Sequence, residues 1–231
     1  MKDIERRSFE IDGKLSIRLD AENDQRIIEG RAIVYNKESR LIPNYDGKGF
    51  REVIQGGALT DLLETKPDVP ILWMHDRKQL LGRTQSGTLE LKEDDDGVLI
   101  RLYVPNTSLG NDLYELAERN DINDMSFGFS LLGDPNNEVW NKDKKTGTTL
   151  RTIKKIPYLS DVSFVDSGAY SDTVVAVRNL EEFEKVEEVV EEVVEEVVEE
   201  VVDTIVEEEV NDEYLLEIEI DNDTIDILKL K

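Results

Sequence analysis

The sequence predicts an α+β protein, a mostly antiparallel β core flanked by at least two helices and followed by an acidic low-complexity tail. Three observations carry this expectation. Short alternating apolar segments, punctuated by Gly, Asp and Asn, recur through the first 180 residues. Two stretches have the spacing of amphipathic helices. The composition then changes abruptly after Leu180. Residues 1–180 are therefore read as one domain and residues 181–231 as a tail that is helical or disordered, with a terminal β-hairpin.

Near the N-terminus, SFEID and KLSIRLD alternate around Asp12-Gly13 and predict a hairpin, and RIIEGRAIVYN continues as a strand. FREVIQGGALTDLLETKPDV moves from a strand to a short helix over Ala58 to Thr65, stopped before Pro67. VPILWMHD reads as a buried strand ending at His75. LLGRTQSGTLELKEDDDGVLIRLYVPN holds two alternating strands turning at Asp96-Gly97. In SLGNDLYELAERNDI, Leu109, Leu113, Leu116 and Ala117 share one helical face, and this helix leads into the strand MSFGFSLLG. The polar DPNNEVWNKDKKTGTTLRTI predicts a hairpin or loop, and IPYLSDVSFVD and TVVAVRN are the last core strands.

Composition sets limits on chemistry. The 231 residues, 39% hydrophobic, suffice for one good core. No run approaches the roughly 20 apolar residues of a membrane span, and MKDIERRSFEID is too charged for a signal peptide, so a soluble intracellular protein is expected. The absence of cysteine excludes disulfides, thiolate metal sites and a cysteine nucleophile. A single histidine excludes a His-rich metal site. The net charge of −25 is concentrated in residues 181 to 231, where 22 Asp and Glu oppose 3 Lys and Arg, leaving −6 for the rest. Such a tail disfavours nucleic acid and anionic membrane as partners. It either docks on a basic protein surface or simply solubilises the chain. Its repeat VEEVVEEVVEEVVEEVV has period 4, which drifts by about 40° per repeat on a helix and so does not sustain a long straight coiled coil. The last segment, YLLEIEIDNDTIDILKLK, alternates around Asn222-Asp223 and is read as a hairpin or a strand donated to another chain.

Three residues stand out as carriers of chemistry. His75 ends an apolar strand at the rim of the core, where it is either structural or a base near neutral pH. Ser126 lies between Met125 and Phe127-Gly128-Phe129. It is either a small residue on the polar side of a strand or a nucleophile fixed by the two aromatics, with Gly128 leaving room for a substrate backbone. Such a hydroxyl needs a base, and the base needs an orienting group. Asp161, in the otherwise apolar YLSDVSFVD, is either an exposed edge carboxylate or that orienting acid. Asp76 is a poor alternative, because adjacent strand residues point to opposite faces.

The segments GALTDLL, LWMHD, LLGRT, NDINDMSFGF, LSDVSFVD and TVVAVR, with His75, Ser126 and Asp161 at successive spacings of 51 and 35 residues, resemble the tailed-phage prohead proteases. These serine proteases of capsid maturation are related in fold to herpesvirus assemblins, and the resemblance covers about residues 5 to 178. It implies a closed or nearly closed β-barrel flanked by helices, with no metal or organic cofactor. His75 matches the family's general base and Ser126 its nucleophile, while Asp161 stands where the family commonly has glutamate. Gly168-Ala169 replaces the usual Pro-Ala, and backbone N–H groups of the Ser167 to Ala169 turn are the candidate oxyanion donors. The implied function is an endopeptidase acting on major capsid protein and scaffold segments, and on itself, inside assembling proheads in the host cytoplasm. Self-association or incorporation into the prohead goes with it, and the acidic tail would serve recruitment. Two other readings are a catalytically inactive scaffolding protein acting through its tail and an unrelated β-barrel binding module.

Overall fold

The computed structural model describes residues 3–8, 15–20, 25–43, 49–142, 147–166, 185–186 and 190. In chain order the strands are β1 (Glu5–Ser8), β2 (Ser16–Asp20), β3 (Gln25–Val34), β4 (Ile42–Pro43), β5 (Gly49–Ile54), β6 (Pro70–Trp73), β7 (Asp76–Arg83), β8 (Leu89–Asp94), β9 (Gly97–Tyr103), β10 (Asp124–Ser130), β11 (Glu138–Lys142), β12 (Thr149–Ile153) and β13 (Tyr158–Val165). Helix α1 (Thr60–Glu64) lies between β5 and β6, and α2 (Ser108–Glu118) between β9 and β10. The chain divides into two units, Met1–Phe183 and Glu184–Lys231. Of the second, Lys185, Val186 and Val190 are described and helical. The expected terminal hairpin and the TVVAVRN strand lie outside the described residues. No helix among the described residues is long and apolar enough to cross a membrane.

A five-stranded sheet runs β1-β10-β13-β6-β7, and two four-stranded sheets run β11-β12-β5-β4 and β2-β3-β9-β8. All pairings are antiparallel except β12 with β5 and β13 with β6. The expected closed or nearly closed barrel is not present among the described residues. Closure requires every strand to be paired on both sides, and here β1 and β7 are edges of the five-stranded sheet.

Periodicity explains most elements. In α2, Leu113 and Ala117 are buried, Leu109 and Leu116 pack against the core, and the Thr107 side chain caps the first turn by accepting from the Gly110 N–H. The β8–β9 hairpin turns at Asp95-Asp96, one residue earlier than expected. Gly97 instead begins β9 at φ 140°, where a Cβ would lie 1.9 Å from the Ile33 carbonyl oxygen of β3. The core joins Phe127, Phe129 and Phe164 of the five-stranded sheet to Ile28, Ile33, Val98 and Leu102 of the β2–β3–β9–β8 sheet.

The first strand adds an element that local pattern did not mark. The expected hairpin at Asp12-Gly13 involves residues 9–14, which lie outside the described residues; β1 precedes them and pairs with β10, placing Arg7 opposite Phe127 and Glu5 opposite Phe129. Buried ion pairing accounts for this partner. Arg7 Nε donates to Glu52 Oε1 at 2.8 Å and Arg7 Nη2 to Glu5 Oε2 at 2.6 Å. Arg151 Nη1 donates to Glu5 Oε2 at 2.5 Å and Glu52 Oε2 at 2.8 Å, while Arg151 Nε reaches Glu138 Oε2 at 2.5 Å. Burial raises the Glu5 carboxyl, but Arg151 and Arg7 outweigh it and hold the group below its ordinary value. Charges buried this deeply persist only when every one is matched. The cluster therefore ties β1 to β5 and β12 of the neighbouring sheet.

Candidate active site

Strand β6 ends at Trp73, two residues before the expected position, and His75 sits in the turn that follows. Trp73 pairs with Asp76 across a two-residue loop in which Met74 and His75 have φ 53° and 58°. Two positive φ angles match a type I′ hairpin turn, which usually takes Asn-Gly. Residues with a Cβ cost about 1–2 kcal/mol each in that region, so the surroundings must hold the turn. The Met74 N–H donates to the Phe164 carbonyl of β13 at 3.0 Å, fastening the loop to the strand that also carries Asp161. Asp76 is a turn-flanking residue. Its carboxylate accepts from the Lys78 N–H and the Gln79 side chain and makes no bond to His75.

Ser126 is on β10, between β1 and β13 in the sheet and directly opposite Ser163 of β13. Strand alternation puts Met125, Phe127 and Phe129 into the core and Ser126 and Gly128 on the other face. Phe127 and Phe129 stack at 5.4 Å and are fully buried, which fixes the strand. Asp161 is opposite Gly128, and a register shift immediately after that pair leaves Ser160 as an extra residue on β13.

The structure brings the three sequence-selected residues together. His75 Nε2 is 2.7 Å from Ser126 Oγ, and His75 Nδ1 is 2.6 Å from Asp161 Oδ2. Ser126 and Asp161 are 1% and 2% exposed, while the imidazole retains 12% exposure at the rim. An ionised Asp161 accepts the Nδ1 proton and leaves Nε2 as an acceptor facing the hydroxyl. Ser126 Oγ is also 2.9 Å from the Arg7 carbonyl oxygen, so two acceptors compete for its single proton. Burial raises the Asp161 carboxyl. The hydrogen bond and charge of His75, with hydrogen bonds from Ser163 and Ser160, outweigh burial and hold the group below its ordinary value of 3.8.

Gly128 also has a part in placing the acid. A Cβ at this position would lie 2.8 Å from Asp161 Oδ1 and 3.4 Å from Ile4 Cγ2. The missing side chain therefore makes room for the carboxylate. The sequence reading also passed over Ser163, whose hydroxyl donates to Asp161 Oδ2 at 2.9 Å, and Arg77, whose Nη2 donates to Ser160 Oγ at 2.9 Å. Ser163 has only its place two residues after Asp161, on the same side of the strand, as a sequence signal, and Arg77 has none. The Ser167 to Ala169 turn, holding the candidate oxyanion donors, lies outside the described residues. Among the described residues no group of three or more His, Cys, Asp or Glu is arranged to hold a metal ion.

No curated protein sequence matches the chain. Among solved structures, the capsid assembly protease of bacteriophage T4 is similar with a TM-score of 0.45 and 12% sequence identity, covering 71% of this chain and 97% of that one. The sequence model of the caudovirus prohead serine proteases matches residues 14–189, a span that contains His75, Ser126 and Asp161. With most of its length accounted for in this way, the chain belongs to the caudovirus prohead serine protease family.

Proposed function

We propose that the chain is a serine endopeptidase that cleaves major capsid protein and scaffold segments, and itself, during prohead maturation. The observation that carries the reading is His75 held between Ser126 and Asp161, with each ring nitrogen in hydrogen-bond range of its partner. In the forward step the Ser126 Oγ lone pair attacks the scissile carbonyl carbon while its proton passes to His75 Nε2. Asp161 holds the Nδ1 proton and stabilises the imidazolium. That imidazolium then protonates the amine as the C–N bond breaks, and water repeats the sequence on the acyl-enzyme. Residues 1–180 supply this chemistry, and the acidic residues 181–231 recruit the enzyme to a basic surface in the assembling shell in the host cytoplasm.

A serine-directed fluorophosphonate tests the reading without knowledge of the cleavage site. Mass spectrometry is expected to find the label on the peptide containing Ser126, with none in Ser126→Ala and strongly reduced labelling in His75→Ala. Co-expression with the capsid subunit adds the biological substrate. If both variants still process the capsid subunit, the catalytic assignment is wrong. An unlabelled wild-type protein that nevertheless promotes assembly would favour the inactive scaffolding alternative.

Gly128→Ala probes the acid separately. Its new methyl displaces the Asp161 carboxylate, and a misplacement of about 1 Å lowers the rate roughly 100-fold. Fluorophosphonate labelling rates measure this effect. A near-normal rate would show that the carboxylate's position is unimportant.

A further inference from the structure

Asp161 Oδ2 receives two donors. His75 Nδ1 lies 2.6 Å away and Ser163 Oγ 2.9 Å away. Ser163 is fully buried and is the cross-strand partner of Ser126, so one hydroxyl adjoins both the nucleophile strand and the acid. A carboxylate oxygen has two lone pairs. Filling both with fixed donors removes the freedom of the Asp161 side chain to rotate about its Cβ–Cγ bond. Glutamate would have one more methylene with which to find the ring. An aspartate on a rigid strand does not, and its direction must be set from outside.

We infer that Ser163 is a positioning residue, whose hydroxyl holds the Asp161 carboxylate in the orientation that meets His75 Nδ1. Gly128 supplies the space for the other carboxylate oxygen, and Ser163 supplies the anchor. The titratable groups at this carboxylate are His75 at the β6–β7 turn and Arg77 on β7, which reaches it through Ser160, while Arg6 is the β1 partner of Gly128 in the backbone register. Ser160 also donates to this carboxylate, and Ser163 is the neutral donor that touches the same oxygen as the imidazole. The inference rests on the reading of Asp161 as the orienting acid.

The single histidine of the chain allows a direct test, because His75 can be titrated by NMR with no assignment ambiguity. The measurement uses the full chain carrying Ser126→Ala, which prevents self-cleavage, with and without Ser163→Ala. Without the anchor the carboxylate turns from Nδ1, and the imidazolium loses part of the contact that stabilises it. The His75 titration is therefore expected to move to lower pH. In chains that retain Ser126, Ser163→Ala is expected to slow fluorophosphonate inactivation about tenfold, the scale of one hydrogen bond to a charged group. Should Ser163→Ala not fold, Ser163→Cys keeps a side chain of similar shape with only a weak donor and gives the same comparison. A His75 titration that stays in place or moves to higher pH overturns the inference, even if the inactivation rate falls, because the carboxylate then still meets the ring without Ser163. Failure of the wild-type chain to label would instead overturn the protease reading. The titration detects the carboxylate–imidazole contact without any turnover, so the two failures are distinguishable.

Discussion

Asp161→Asn is expected to lower the rate of peptide hydrolysis by on the order of 10⁴-fold while leaving the fold intact. The amide matches the carboxylate in size, and with its N–H₂ where Oδ2 stands the Ser163 hydroxyl turns to accept from it. The amide N–H₂, however, can donate to His75 Nδ1. That pairing forces the ring proton onto Nε2, where it points at Ser126 Oγ and prevents the base from accepting the hydroxyl proton. Rates measured by fluorophosphonate inactivation and by capsid-subunit cleavage should fall together. The variant should also change the acid sensitivity of the protein. The folded Asp161 carboxyl is held below 3.8, so it contributes stability that is present above that value and lost as pH falls through the folded value. Denaturant unfolding at successive pH values should show a smaller loss below about pH 4 in Asp161→Asn than in the wild type. Rates within a few-fold of the wild type would remove Asp161 from the mechanism.

Arg151→Met is expected to have the largest effect on stability. Arg151 is fully buried and bonds to Glu5, Glu52 and Glu138. Its loss leaves Arg7 as the one remaining guanidinium in this cluster for Glu5 and Glu52, and breaking such a buried pairing typically costs about 3–5 kcal/mol. Urea unfolding at neutral pH measures the loss. Two features identify its cause. Adding Glu5→Gln should recover part of the stability, because it removes a carboxylate that has lost its counter-charge. The single variant should also be less impaired in mild acid. A buried carboxyl without its partner has a raised folded pKa, and its protonation as pH falls relieves the penalty. A cost near zero would mean that the cluster is solvated and does not organise the sheets.

Where local pattern decides structure, the sequence is informative. The apolar face of α2, the alternation of β3, β8 and β9, and the aromatics of β10 all follow from periodicities that single residues express. Ser126, His75 and Asp161 are conspicuous because each is a polar residue set in or beside an apolar run. What escaped sequence reading depends on partners distant in the chain. Glu5 and Arg7 look like surface charges in ERRS, and only Glu52 and Arg151 make them interior residues. Nothing local in ERRS points to β10, where β1 finds its partner, with Ser8 opposite Ser126. The turn at Met74-His75 lacks the Asn or Gly that marks a type I′ turn. Its tether to Phe164 is a backbone hydrogen bond with no sequence signature. The role of Gly128 was equally hidden, because an absent side chain does not reveal which neighbour needs the space.

The placement of β1 bears on where this protein can be cut. The family match begins at residue 14, so an expression fragment trimmed to that boundary would look like a tidy catalytic domain. It would lack β1. Strand β10 would lose its neighbour on the nucleophile's side, Ser126 would lose the Arg7 carbonyl as an acceptor, and Arg151 and Glu52 would face each other without Glu5 and Arg7. Affinity tags and truncations are therefore better placed away from the N-terminus, and the unit to express includes residues that the family profile leaves out.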